Sequence, residues 1–400
     1  MRTLCAVLLL AASAFAQSAV IQVSTALDGR GRVLHNTRIV VQDGKIVRLD
    51  PKAAPVTYDL TGYTVLPGWI DTHVHLEWHF GPNGKIGDKS ETPERAALEF
   101  ESNAWKTLQA GYTTVQSVGS PDDKLPRDLI NAGDIPGPRI LTSLEPITDA
   151  KLSADEIRER VRQRKSEGAD LIKIFASTGL CSGGKQTMSQ EQMDAACGEA
   201  KAQGLRSVVH AFGHSAAISA NAGCTAVEHG LFASQDDLKA MADHGTFFDP
   251  QVGLVFQNYL DNREHYPNLN QACLDDLKNA MPTADKFLPE AMAVKDLKIV
   301  FGTDAVAGAD GHNAEEFIYR VRDGHMPAMQ AMVGANSLAA ESLHMQDQIG
   351  SLAPGLQADI IALDGNPLTD ITAVRRVVFV MKGGKVYRDD GRRAKIKKAD

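Results

Sequence analysis

The stretch Tyr63-Thr64-Val65-Leu66-Pro67-Gly68-Trp69-Ile70-Asp71-Thr72-His73-Val74-His75 decides how this chain is read. An apolar run ends in two histidines one residue apart. In a strand, side chains at i and i+2 face the same way, so both imidazoles can reach one point in space. Imidazole is a good ligand for zinc and its neighbours. Alone, the pair reads equally well as two core or surface histidines. Outward from it, short apolar strands alternate with helical patterns, the mark of parallel βα units. Eight strands are predicted, at residues 65–70, 113–117, 140–142, 171–175, 206–209, 226–228, 246–249 and 299–302, with helices between them such as 92–110, 153–167 and 189–203. Eight such units close an α/β barrel whose chemistry belongs at the C-terminal strand ends.

Four further strand ends carry ligand-type residues: Lys173 in the fourth, His210 ending the fifth, His229 ending the sixth and Asp304 following the eighth. Each alone has a bland reading, a hydrogen-bonded histidine or a helix-capping aspartate. Five positions agreeing in type, order and location favour a metal centre. Lys173, between two isoleucines, is the oddity, because a buried ammonium pays heavily for desolvation. Either it snorkels at the strand tip, or a depressed pKa leaves a neutral amine that carbon dioxide converts to a carbamate, an anionic ligand able to bridge two cations.

The regions flanking the barrel are strand-rich. Residues 39–49 turn at Asp43-Gly44, a strong hairpin signal, and residues 377–387 turn at Lys382-Gly383-Gly384. Residues 17–66 and 348–390 are therefore expected to form one small β-sandwich, with the barrel at 67–347. The 400 residues accommodate a barrel of about 250 plus this module.

Composition narrows the function. The 43% hydrophobic and 23% charged content is that of a globular chain, and a net charge of −8 argues against a nucleic-acid or anionic-membrane partner. The basic tail at 391–400 reads as a solvated terminus. Residues 1–16 read as a secretory signal: Arg2, an apolar run from Leu4 to Ala12, and the cleavage pattern Ala14-Phe15-Ala16. A periplasmic or secreted protein with no membrane association after cleavage is expected. Of the four cysteines left, Cys181 and Cys197 are the nearest candidate disulfide in sequence, though unpaired thiols are equally compatible.

Taken together, Val65–His75, Lys173, His210, Glu228-His229-Gly230, Gly302-Thr303-Asp304 and Ile349-Gly350-Ser351-Leu352-Ala353-Pro354-Gly355-Leu356-Gln357-Ala358-Asp359-Ile360 resemble the amidohydrolase superfamily, in its imidazolonepropionase-like and Xaa-Pro dipeptidase-like branch. The resemblance spans nearly the whole chain after residue 16. It implies a two-metal centre, usually zinc, with His73, His75 and Asp304 on one ion, His210 and His229 on the other, and a carboxylated Lys173 and a hydroxide bridging them. It further implies Asp304 as the proton shuttle. The activity implied is hydrolysis of a small-molecule amide, a dipeptide or N-acyl amino acid. Cyclic amide or lactone hydrolysis, and a non-catalytic metal-binding protein, are the alternatives, and a homo-oligomer is left open. Departures touch substrate recognition: Phe212 stands where many relatives have Tyr, and Gln116-Ser117 where they often have Arg-Asp. Phe212, His312 and His79 are the candidate substrate contacts.

Overall fold

The computed structural model describes residues 18–390 and the backbone of Arg392 and Arg393; the expected signal and most of the basic tail lie outside the described residues. The two ends of the chain share one sheet of nine strands. Its main path runs Lys385–Asp389, Val377–Lys382, Ile360–Leu363, Thr64–Pro67, Ser18–Leu27, Val33–Gln42 and Lys45–Leu49. Ile361 pairs with Leu66 across the seam between the N- and C-terminal parts. The Asp43-Gly44 turn has φ of 51° and 77°, both left-handed, as a two-residue hairpin of primed type requires. The strands of the expected sandwich hydrogen-bond as one sheet, and Ile21, Ile39, Val65, Ile360 and Phe379 from its two parts share one core.

Between these ends lie two parallel sheets. One runs Lys298–Ile299, Phe247–Asp249, Ala226–His229, Arg206–Ala211, Leu171–Phe175; the other runs Trp69–Val74, Tyr112–Ser117, Arg139–Thr142. Backbone bonds join them at both edges. Ile147 donates to Lys173 O at 2.9 Å and accepts from Phe175 N at 3.0 Å, while Thr72 N donates to Phe301 O at 3.0 Å and His75 N to Ala305 O at 2.8 Å. The intervening helices begin as their sequence signals require. Thr92 caps Pro93–Gln109, and Ser153 and Ser189 form reciprocal capping boxes with Glu156 and Gln192.

Two strand expectations change. The single strand at 65–70 divides at Pro67-Gly68, Thr64–Pro67 joining the terminal sheet and Trp69–Val74 the parallel one. Gly68 permits this crossing, since a Cβ there would meet Thr113 at 2.2 Å. At 299–302 only Lys298–Ile299 is a paired strand; the segment beyond it is tied by Val300 N to Phe248 O.

The disulfide expectation is also corrected. Cys181 bonds Cys273, and Cys197 bonds Cys224, with Cα–Cα distances of 4.7 and 5.1 Å. Cys181 lies in a turn that packs on the helix Gln271–Met292, whereas Cys197 is on the buried face of Gln190–Ala202, so nearness in sequence did not pair them. Among the described residues, no helix is long and apolar enough to cross a membrane.

Candidate metal centre

Strand register brings the site together. Lys173 and Phe175 share a strand face, His210 is opposite Phe175, Glu228 opposite His210, and Asp249 opposite Glu228. All five therefore face the same side. His229 follows Glu228 and by simple alternation belongs on the other face. A left-handed backbone, φ 67°, turns it back, and Asp304 has φ 52°. Non-glycine residues held there carry strain, and such strain clusters at functional sites.

His73, His75, Lys173, His210, His229 and Asp304 all line one cavity of about 590 Å³. His75 Nε2 is 2.9 Å from Asp304 Oδ1, His73 Nε2 is 3.4 Å from it, and Lys173 Nζ is 3.4 Å from His73 Nε2. The rings of His73 and His229 lie 5.4 Å apart, and those of His210 and His229 4.6 Å. Donor atoms of His73, His75 and Asp304 fall within 4.8 Å of one another, a group that can hold a metal ion.

The electrostatics suit that use. Burial, reinforced by the Lys173 charge, pushes His210 down to about 4 and His73 well below the usual histidine value. Burial and then the His210 charge do the same to His229. Neutral rings keep a lone pair for a cation. Burial likewise lowers Lys173, which is 2% exposed. Burial would raise Asp304, but His73 and His75, then Lys173, outweigh it and hold the carboxyl at about 2.

Sequence reasoning missed the support beneath. Glu228 Oε2 sits 2.8 Å from His73 Nδ1, directing His73 Nε2 into the cavity. Gln251 donates to Glu228 at 3.1 Å and accepts from His229 N at 2.9 Å. Asp249 accepts from Thr72 Oγ1, Gly302 N and Arg320, and a Cβ on Gly302 would meet its Oδ2 at 1.9 Å. Burial raises Glu228 to about 7, and burial together with Glu228 raises Asp249 to about 8. His73, Glu228 and Asp249 also have donors close enough for an ion, but both Asp249 oxygens and Glu228 Oε2 are already engaged by protein donors. Asp71 binds Thr303 through N and Oγ1, fixing the residue before Asp304. The missing signal was inter-strand register, which a single sequence does not supply.

The three candidate substrate contacts separate. Phe212 lines the cavity and stacks on His229 at 5.3 Å, with an interplanar angle of 2°. His79 is held by Glu91 and Glu77 O, each at 2.6 Å, and is not among the lining residues. His312 is exposed and lines a different pocket with Lys106 and Arg388.

The Amidohydrolase family profile matches residues 64–387. An ochratoxinase of Aspergillus niger is 24% identical over 441 residues, covering 96% of this chain and 89% of the relative. An imidazolonepropionase of Micrococcus luteus is 24% identical over 390 residues, covering 85% and 90%. A solved Xaa-Pro dipeptidase with methionine bound in its active site superposes with a TM-score of 0.84 at 29% identity, covering 93% of this chain and all of that one. A match of this length shows that the chain belongs to the amidohydrolase family, and it is a hydrolase acting on C–N bonds.

Proposed function

We propose that this is an exported two-metal amidohydrolase cleaving a dipeptide or N-acyl amino acid. The observation that carries the reading is the meeting of four histidines, Lys173 and Asp304 in one cavity. In this reading the two parallel sheets, joined at both edges, form the eight-stranded barrel (67–347), and residues 17–66 and 348–390 the terminal β unit. His73, His75 and Asp304 hold one ion and His210 and His229 the other, zinc being the usual occupant of such nitrogen-rich sites. Thr178 O, 3.3 Å from His210 Nε2, takes that ring's N–H, leaving Nδ1 as its donor. Burial lowers the Lys173 pKa, and its amine in the neutral form would add carbon dioxide to give a carbamate and a proton, supplying an anionic ligand in place of a buried cation.

When bound, the ions polarise the scissile carbonyl and lower the pKa of the attacking water. Asp304, ionised at all working pH, accepts the proton released as the water oxygen bonds to the carbonyl carbon. It then passes that proton to the departing nitrogen, which cannot leave as an amide anion. Glu228, through His73 Nδ1, keeps the ring from rotating away. Phe212, flat against His229, closes the wall without adding a hydroxyl.

The two disulfides support export, since such bonds persist in oxidising compartments. Screening metal-loaded protein against dipeptides, N-acyl amino acids and lactones tests the activity. Release of free amine from the amides supports the reading, while turnover confined to lactones overturns it. Secreted protein beginning at Gln17 supports export.

A further inference from the structure

We propose that the site selects its amide substrates by apolar bulk and makes no use of a terminal carboxylate, so that uncharged, capped amides are turned over as well as free acids. This rests on the amide-hydrolase reading and names its substrate class.

The wall around the donor cluster is apolar and aromatic, with Trp78, Phe175, Phe212, Phe256, Leu269 and Leu277 on it. Among the described lining residues, Lys173 is the only lysine or arginine. Its amine is buried against His73 at 3.4 Å, within the donor cluster. Outside the donor cluster the polar side chains on the wall, Ser182, Tyr259, Tyr266, Asn268 and Asn270, are uncharged, and two are already engaged. Asn270 Oδ1 accepts from Cys273 N at 3.0 Å, and the Tyr266 hydroxyl donates to Ala307 O at 2.6 Å.

A carboxylate is recognised most effectively by a cation, above all the two-pronged guanidinium. A carboxylate entering this cavity loses hydration and, away from the donor cluster, finds no lysine or arginine among the described lining residues to hold it. An apolar group gains from every methylene it removes from water, about threefold to fourfold in affinity each. The wall is also held in place. Cys181 and Cys273, both lining residues, bond the turn Leu180–Ser182 to the first turn of the helix Gln271–Met292. The cavity's size and apolar character are thus set by covalent structure as well as packing.

The test compares N-benzoyl-L-leucine with N-benzoyl-L-leucinamide, and the two N-acetyl counterparts, on metal-loaded full-length protein. Released leucine or leucinamide is quantified by mass spectrometry. The expected result is a kcat/KM for each leucinamide that equals or exceeds that of its acid within threefold, with benzoyl substrates at least tenfold better than acetyl. The part-exposed Leu180 offers a converse check. Leu180→Arg, with its melting temperature confirmed unchanged, should raise the acid-to-amide ratio at least tenfold. A wild-type preference for the acids above threefold, or a benzoyl-to-acetyl ratio below ten, overturns the inference while leaving amide hydrolysis standing. No turnover of any of the four by protein containing its metal overturns the amide reading and this inference with it.

Discussion

Glu228 reaches His73 Nδ1 at 2.8 Å and is 1% exposed. A carboxylate behind a ligating imidazole fixes the ring's tautomer and orientation, and removing such a partner typically weakens metal binding 10–100-fold. Glu228→Ala is therefore expected to lower metal affinity by about that factor in a chelator-competition titration; unchanged affinity would contradict the role. The metal-free protein offers a second residue-scale check. Burial sets His210 at about 4 against an ordinary 6.5, so its folded form stays neutral over a range where the unfolded chain takes up a proton. This term makes folding less favourable as pH falls from 6.5 toward 4, and its full contribution returns above 6.5. In NMR titrations, the His210 ring protons should stay unmoved through pH 6.5 and shift only near 4. At this scale the six cavity-lining candidates were legible because the four histidines stand at or beside strand ends, Asp304 follows the last barrel segment, and Lys173 is out of place between two isoleucines. Glu228 was not, because its inward face follows from pairing with His210, and pairing is a long-range property.

Among the elements, helices were the most readable, since serine or threonine caps mark their starts. Strand limits were less so: Val65 and Ile70 look like one apolar run yet serve two sheets. The disulfides were misread for the same reason, as helix packing rather than sequence distance decides which thiols meet. Cys181–Cys273 closes a separation of 92 residues and Cys197–Cys224 one of 27. Serine variants of Cys273 and Cys224 are expected to cost on the order of 2–4 kcal/mol each, the Cys273 variant more, because closure entropy grows with loop length. Urea unfolding measures both. Arg320 ties the segment after Glu316 to the parallel sheet, bonding Glu316 at 3.0 Å, Asp249 at 3.1 Å and Val300 O at 2.6 Å while 1% exposed. Arg320→Met strands two buried carboxyls and should cost on the order of 3–5 kcal/mol in the same assay.

For the molecule as a whole, Ile360–Leu363 sits between Thr64–Pro67 and Val377–Lys382, so the first and last parts of the chain complete each other. That both ends belong to one small β unit was expected from their hairpin signals, but the hydrogen bonding of its strands as one sheet was not, because edge pairing depends on three-dimensional closure. The centre depends on the same long-range closure: segments from His73 to Asp304 supply donors to one cavity. The central claim is that these donors hold two ions bridged through a carboxylated Lys173. Its most direct test is the metal content of wild-type and Lys173→Met protein, reconstituted with zinc and bicarbonate and measured by plasma mass spectrometry beside amide hydrolysis. The expected result is two equivalents in the wild type, with fewer than two and at least a hundredfold less activity in the variant. Full activity in a wild type holding one equivalent or less, or an undiminished variant, would contradict it.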